Sequence, residues 1–376
     1  MSSASAIQDE AAGQQPLISA LQLKDLPVEI VVEILSNLDF ETFDNMLLVN
    51  SQLNNIIVLH WCSILPVIAE REFSPADGFF AALRDAILPS TLSRYQCSTL
   101  SSISNYSLLR LSSTTGLNLV LKFCRAVKRF EYEFPRFRFS HRSDCRRLLR
   151  PHELHRLRSA LYIWWRYASA FHGPASCPRR LDDTPEGRHE FIHQFSSVQL
   201  YELDDLWRTF RGAFAMEVCP SFSSVVLAVG PSCTWEEGAR LGWGERVEHL
   251  DILSTMMKLR PEAILHLLVY RHRYATKASV VQFVKQRHPW IEESMETLSG
   301  TLSAVMVGRH GSCPRWWWCD SFPDAYGGIL DFKDAEEEAW RARNNKDTGS
   351  GMPAIEAMRE FETTIKGGRG RLLPSS

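Results

Sequence analysis

The feature that most constrains this chain is a segment of forty residues near its start, residues 23–62. Hydrophobic residues recur in it at intervals of three and four, a spacing that places them on one face of an α-helix. We expect three short helices here. The first begins at Leu26-Pro27, where proline costs no hydrogen bond because first-turn N–H groups have no partner inside a helix. It ends near Asn37.

The first of these helices is hydrophobic on more than one side. A helix that packs against a single neighbour needs only one apolar stripe, yet Glu29 and Glu33 are the only charged residues here. Its aliphatic residues are Val28, Ile30, Val31, Val32, Ile34 and Leu35. We therefore expect one side to be buried in its own domain and another side to bind a partner.

The next two helices follow the ordinary pattern of one apolar stripe. Asp39 is the expected N-cap of the second helix, since a carboxylate there accepts hydrogen bonds from free N–H groups of the first turn. The residues that repeat at helical spacing are Phe40, Phe43, Met46 and Leu47 in the second helix, and Leu53, Ile56, Ile57, His60 and Trp61 in the third.

In this order and spacing, the segment resembles an F-box over residues 23–66. The residues that carry the likeness are Leu26-Pro27, Ile34-Leu35, Leu38, Asp39 and Trp61. One departure lies at residues 49–51, Val-Asn-Ser, where the family usually has a valine, a small residue and then a base. The Trp-rich helix expected at Pro151–Phe171 and the late loop at residues 308–328, which is rich in Gly and Trp, are also similar to those of fungal F-box proteins.

The resemblance implies a module that docks on a Skp-family adaptor and, through it, on the cullin of a ubiquitin ligase. The chain would be the substrate-receptor subunit, which brings a target protein to the ligase for ubiquitination. It would not be an enzyme itself and would need no cofactor. By carry-over from the family pattern, the adaptor-binding residues are Leu26, Pro27, Ile30, Ile34, Leu35, Leu38, Leu48, Leu53 and Trp61.

The composition favours a globular protein of two or so domains. The chain has 376 residues, of which 45% are hydrophobic, and a formal net charge of −2, so no strong overall field attracts nucleic acid or membrane. The longest apolar stretch, residues 56–69, is shorter than the ~20 residues of a membrane span. No basic segment precedes an apolar run at the start, and nine cysteines form an odd set. We expect an intracellular protein, in the cytoplasm or nucleus, with free thiols.

The remaining pattern predicts a mainly α fold. We expect a disordered leader at residues 1–20, the F-box at 21–66, a larger helical domain with loop-rich segments at 75–343, and a flexible polar tail at 344–376. The clearest helix spans Pro151–Phe171, and further helices are expected around residues 200–214 and 247–270. Residues 75–343 would recruit the unknown protein substrate.

A basic stretch is the main candidate for substrate contact. Residues 122–166 contain thirteen Lys or Arg and four acidic residues. Arginine grips phosphate or carboxylate through two parallel hydrogen bonds, so this stretch is a candidate for an acidic or phosphorylated peptide. The alternative is a solvated helix face with internal ion pairs, for example to the acidic residues 331–338. The possible substrate-binding residues are Arg142, Arg146, Arg147, Arg150 and the run Trp316, Trp317 and Trp318.

Other functions have weaker sequence support. His141, Cys145, His152 and His155 lack the paired spacing of a zinc site, so no metal is predicted. No nucleotide-binding, nucleophile-elbow or kinase motif is present. The alternatives to a ligase subunit are an F-box-like interaction module acting outside a ligase, and a nucleic-acid-binding protein with a basic surface. No nucleic-acid fold signature accompanies the basic residues.

Overall fold

A computed structural model describes residues 26–49, 51–91, 114–139, 146–172, 184–274, 276–291, 296–310 and 328–330. Across these residues the chain is built from helices and contains no β-strand. This confirms the prediction of a mainly α fold. The predicted leader at residues 1–20 and the predicted tail at 344–376 lie outside the described ranges.

The chain divides into two compact units, residues 1–68 and residues 69–376. Unit 1 contains α1 (Val28–Asn37) and α2 (Phe40–Met46), and α3 (Ser51–Glu72) crosses the boundary. The three helices predicted here are present. The predicted cap is confirmed as well, because the Asp39 side chain accepts a hydrogen bond from the Thr42 N–H.

The repeat of hydrophobic residues predicts a third helix as far as Trp61, but α3 is longer. It continues through Pro66 to Glu72, although a proline inside a helix removes one backbone hydrogen bond. By length and composition α3 is apolar enough to cross a membrane. Core helices of globular proteins meet the same criterion, and α3 carries His60 and several other polar residues. The predicted intracellular location stays a prediction.

Unit 2 is formed by a longer series of helices. In chain order they are α4 (Ala76–Thr91), α5 (Thr114–Arg138), α6 (Pro151–Phe171), α7 (Pro185–His193), α8 (Ser197–Glu217), α9 (Phe222–Val229), α10 (Trp235–Leu241), α11 (Arg246–Met256), α12 (Pro261–Val269), α13 (Lys277–Arg287) and α14 (Leu298–His310), with a 3-10 turn at Arg271–Arg273.

Helix α6 is the centre of unit 2. It begins at Pro151 and ends at Phe171, as its sequence pattern predicts, and it packs against α4, α5, α8 and α12. Because neighbours surround it, its buried residues cover more than one stripe, and Tyr162, Trp164 and Trp165 are each at most 2% exposed. The second half of α6 is buried on nearly all sides, as in a core helix, and α6 is therefore the element about which α4, α5, α8 and α12 pack.

Aromatic rings fill the space between α5, α6 and α8. The ring of Phe123 lies 4.5 Å from that of Trp165, and the ring of Phe130 lies 4.9 Å from that of Phe210. Tilted and edge-to-face contacts at such distances add to the gain from apolar burial. Most of the described tryptophans therefore have a packing role, and the fold depends on these helix pairs.

One predicted helix is two helices. The pattern at residues 247–270 predicts one continuous element, whereas the chain forms α11, a break, and then α12 from Pro261. Arg260 is extended, with φ −62° and ψ 150°, because a residue before proline is disfavoured in the helical region. The hydrophobic repeat continues across the break because both helices bury apolar residues. Pro261 was the sequence signal for the start of a second helix, and the repeat concealed it.

The hydroxyl of Tyr162 provides a test of this core. It donates a 2.9 Å hydrogen bond to the carbonyl oxygen of Phe73 in the buried interior. In Tyr162→Phe that carbonyl oxygen loses its donor, and we expect the free energy of unfolding to fall by about 1–3 kcal/mol. Denaturant titration of the full chain measures the change. As the matched control, Tyr132→Phe alters a residue that is 60% exposed and should shift stability by less than about 0.5 kcal/mol. Equal losses of stability in the two variants would show that the Tyr162 hydrogen bond does not stabilise the core.

Candidate docking surface

The two sides of α1 have opposite environments. Val31 and Leu35 are each 1% exposed, whereas Ile30 and Ile34 are 48% and 37% exposed. Pro27 is exposed too, and positions 27, 30 and 34 follow the i, i+3, i+7 spacing of one helix face. We call Pro27, Ile30 and Ile34 the α1 stripe. The prediction of a helix with one buried side and one exposed apolar side is confirmed.

Further exposed hydrophobic residues accompany the α1 stripe. Leu48 and Val49, which follow α2, are 85% and 62% exposed. Among the described residues, seventeen large hydrophobic side chains are exposed, and seven of these lie between positions 28 and 67, namely Val28, Ile30, Ile34, Leu48, Val49, Leu59 and Val67. Where exposed apolar residues form a contiguous patch, they mark an interaction site, and the α1 stripe is the part of this set that shares one helix face.

Hydrogen bonds at the helix ends fix this surface. The Pro27 carbonyl oxygen accepts from the Ile30 N–H at 3.0 Å. Asp39 accepts from the Thr42 N–H at 2.8 Å and from the Thr42 hydroxyl at 2.9 Å, and these bonds lower the pKa of Asp39. The Asn54 side chain donates to the Leu47 carbonyl oxygen at 3.2 Å. The turn that presents Leu48 and Val49 is thereby tied to the start of α3.

Several residues carried over from the F-box pattern are not on the surface. Leu35, Leu53 and Trp61 are at most 4% exposed, so in this structure they are core residues, and their contact with an adaptor stays a prediction. Leu26 and Leu38 are half-buried. The family pattern mixes core residues with contact residues, since both must be apolar and only burial separates them. Of the predicted contacts, Pro27, Ile30, Ile34 and Leu48 are exposed.

Arg147, one of the possible substrate-binding residues, is paired within the chain, as the alternative of internal ion pairs expects. Its guanidinium donates two hydrogen bonds of 2.7 Å to the carboxylate of Glu153, whose side chain is 0% exposed. The same carboxylate accepts from the Arg150 N–H at 2.8 Å. Arg147 therefore neutralises a buried charge at the start of α6. Arg146 and Arg150 are exposed, whereas Arg142 and Trp316, Trp317 and Trp318 lie outside the described residues.

Other cations of the basic stretch have acidic partners within unit 2. The observed pairs are Arg158 with Glu131 at 2.7 Å, Arg129 with Glu133 at 2.6 Å, Lys128 with Glu72 at 3.0 Å, and Arg166 with Asp85 at 3.4 Å. Internal pairing consumes charge that would otherwise attract an acidic ligand. The structure thus favours the helix face with internal ion pairs over a continuous cationic surface.

Buried carboxyl groups on α8 were missed by sequence reasoning. Glu202, Asp204 and Asp205 are at most 9% exposed. Burial raises the pKa of Glu202 to about 7, while Arg156 opposes the shift and Asp205 adds to it. Burial likewise raises the pKa of Asp204 to about 6, against the effect of Arg208. Three acids within four positions, set between Leu200, Leu203 and Leu206, were the available signal.

No metal centre is formed by the residues that the structure describes. Groups of three or more potential ligand side chains in a suitable arrangement are absent from them. His152 and His155 are exposed on the first turns of α6. His141 and Cys145 fall outside the described ranges.

No protein-family model, curated protein or solved structure matches this chain. The residues themselves therefore carry the functional argument.

The Arg147–Glu153 pair predicts a large difference between two neighbouring arginines. Arg147→Met removes two charge-assisted hydrogen bonds from the buried Glu153 carboxylate. We expect a loss of about 2–4 kcal/mol in the free energy of unfolding, less than for a fully buried pair because Arg147 is 28% exposed. Arg146→Met, at an exposed position, is the control and should change stability by less than about 0.5 kcal/mol. Chemical denaturation measures both. Equal stability of the two variants would show that the pair does not hold α6.

The raised pKa of Glu202 predicts a pH dependence of stability. Its ordinary value is 4.5 and its folded value is about 7, so between these values the folded state binds more protons than the unfolded state. Stability must therefore fall as the pH rises through this window. Asp204 acts in the same direction, whereas His288, with a pKa lowered to about 4 by burial, reduces stability on the acidic side.

We expect the melting temperature of the wild-type chain to decrease from pH 6 to pH 8. Glu202→Gln cannot ionise, so its decrease over the same range should be smaller. Glu190→Gln, at an exposed position of α7, is the control and should follow the wild type. An equal fall in the melting temperature of all three chains from pH 6 to pH 8 would show that Glu202 does not titrate in this window.

Proposed function

We propose that this protein is an F-box-type substrate receptor. The α1 stripe docks on a Skp-family adaptor, the adaptor links the chain to a cullin, and unit 2 recruits a protein substrate for ubiquitination. The observation that carries the proposal is the exposure of Pro27, Ile30 and Ile34 on a helix whose opposite side is buried. The order of residues that resembles an F-box supports it independently.

The energetics of the α1 stripe fit a docking role. Full burial of an exposed aliphatic side chain contributes about 1.5–3 kcal/mol, and Ile30, Ile34 and Leu48 are available for burial. Glu29 and Glu33 are exposed on the same helix and would lie at the rim, where charges set orientation and association rate more than affinity. An apolar centre with a charged rim is the usual composition of a protein interface.

The proposed subunit supplies proximity rather than bond chemistry. A receptor that holds a substrate beside a conjugating enzyme converts a bimolecular encounter into an effectively intramolecular one. Internal pairing of the basic stretch weighs against the nucleic-acid alternative, because paired arginines do not release counterions from a phosphate backbone. An interaction module that binds the adaptor outside a ligase uses the same stripe, and cullin co-purification with substrate turnover separates it from the proposed function.

The α1 stripe is tested by charge introduced on its exposed side only. In the full chain, Ile30→Asp combined with Ile34→Asp should leave folding intact and reduce capture of a recombinant Skp-family adaptor at least tenfold, because two carboxylates would be desolvated in the interface. Leu35→Asp is not a suitable probe, since Leu35 is buried and its replacement would unfold α1.

The matched control is Leu227→Asp, which changes a 65% exposed leucine of unit 2 in the same chemical sense. It should retain adaptor capture at the wild-type level. Full adaptor capture by the folded α1 double variant, or no capture by the wild type, would exclude docking through the α1 stripe.

A further inference from the structure

A three-residue segment, Gly328-Ile329-Leu330, is enclosed by side chains of unit 2. Ile329 is 0% exposed and Leu330 is 2% exposed. Two residues that hydrogen-bond to it lie on α6 and α8, at positions 174 and 124 away in the chain. We call Arg156 and Asp205, which bind the segment, together with Arg138 beside Asp205, the α8 slot.

The α8 slot binds the main chain of the segment through side chains. The Ile329 N–H donates to Oδ2 of Asp205 at 2.9 Å, and Nη1 of Arg156 donates to the Leu330 carbonyl oxygen at 3.5 Å. One donor and one acceptor of the same dipeptide are thus recognised. Protein domains that bind extended peptides work in this way, with main-chain hydrogen bonds for affinity and side-chain pockets for specificity.

The close approach of the Asp205 carboxylate favours glycine at position 328. A Cβ atom there would lie 2.5 Å from Oδ2 and 2.9 Å from Cγ of Asp205, closer than real Cβ atoms come. A side chain at position 328 would therefore have to displace the Asp205 carboxylate that holds the next N–H. The segment bound by the α8 slot thus consists of a glycine followed by two aliphatic residues.

The charges of the slot exceed what packing alone requires. Asp205 is 3% exposed, with Nε of Arg138 at 3.4 Å from its Oδ1, and Nε of Arg156 lies 3.9 Å from Oε1 of Glu202. Replacement of a buried ion pair by apolar residues is often neutral or stabilising. The charged groups of the slot, unlike apolar residues, also hydrogen-bond to the main chain of the dipeptide.

We propose that the α8 slot is a peptide-binding site and that residues 328–330 are an intramolecular ligand that occupies it. The external ligand is an extended protein segment with a glycine followed by two aliphatic residues. Because the internal segment is tethered, its effective concentration is on the order of millimolar, and an external peptide must displace it. Only the identification of this external segment as part of a ligase substrate rests on the proposed function.

Emptying the slot in the full chain tests the proposal. Ile329→Asp combined with Leu330→Asp removes the two aliphatic side chains of the internal ligand. The probe is a fluorescent synthetic peptide with the sequence of residues 326–333, measured by anisotropy. We expect it to bind this variant at least tenfold more tightly than it binds the wild type. The same peptide with Gly328→Val should show no gain.

The matched control is again Leu227→Asp, which introduces an acid at an exposed position of unit 2 and leaves residues 328–330 intact. Its affinity for the peptide should equal that of the wild type. A folded double variant that binds the peptide no better than the wild type overturns the proposal, as does equal gain with the valine peptide.

Hydrogen exchange of the wild type provides a second measurement that does not depend on the variant folding. If the segment is a displaceable ligand, the Ile329 amide exchanges through local opening, at least tenfold faster than the amides at the centres of α6 and α8. Exchange at the rate of those amides would make residues 328–330 an integral part of the core and would overturn the proposal.

Failure of this inference and failure of the proposed function are distinguishable. The slot double variant should capture the adaptor as the wild type does, because the α1 stripe is unchanged. Conversely, a wild type that captures no adaptor would leave the peptide measurements and their outcome unaffected.

Discussion

The structure of unit 2 depends on the burial of α6 by its neighbours. Trp164 and Tyr167 on this helix are 0% exposed, and the helix contacts α4, α5, α8 and α12. Most of the second half of α6 is buried, and two of its tyrosine hydroxyl groups find hydrogen-bond partners inside the unit. The Tyr167 hydroxyl donates to Oγ1 of Thr297 at 2.9 Å, and the Tyr162 hydroxyl bonds to the Phe73 carbonyl oxygen. These bonds fix how α6 is oriented within an otherwise apolar environment.

Burial of α6 also explains the use of charge in this unit. Glu153 is 0% exposed at the N-terminal end of the helix, where the helix dipole favours an anion, and Arg147 compensates it. The basic character of residues 122–166 is thus largely the complement of acids in the same unit. On α8, Asp205 has Arg138 within 3.4 Å, and its second carboxylate oxygen is bound to the Ile329 N–H. The charged side chains of this unit thus neutralise buried groups and, in the proposed α8 slot, also bind a peptide backbone.

The α1 stripe presents the opposite situation from α6. Ile30 and Ile34 are exposed although nothing in their chemistry favours contact with water. In the proposed complex the cost of their exposure is recovered when the adaptor covers them. The backbone hydrogen bonds of Pro27 and the Asp39 cap of α2 hold the two helices in place beforehand. Preorganisation of this kind reduces the conformational entropy lost on binding. The two candidate surfaces also differ in kind, because the α1 stripe is apolar and open whereas the α8 slot is polar and filled.

The sequence by itself determined the helical class, the limits of α6 and the Asp39 cap, because periodicity, proline position and capping act over a few neighbouring residues. It also determined that α1 is apolar on two sides. Only the tertiary structure decided that Leu35 is buried and Ile30 exposed, that Arg147 belongs to Glu153, and that Ile329 meets Asp205 across 124 positions. These facts depend on which helices pack together, and that is set by the fit of many side chains at once rather than by any local pattern.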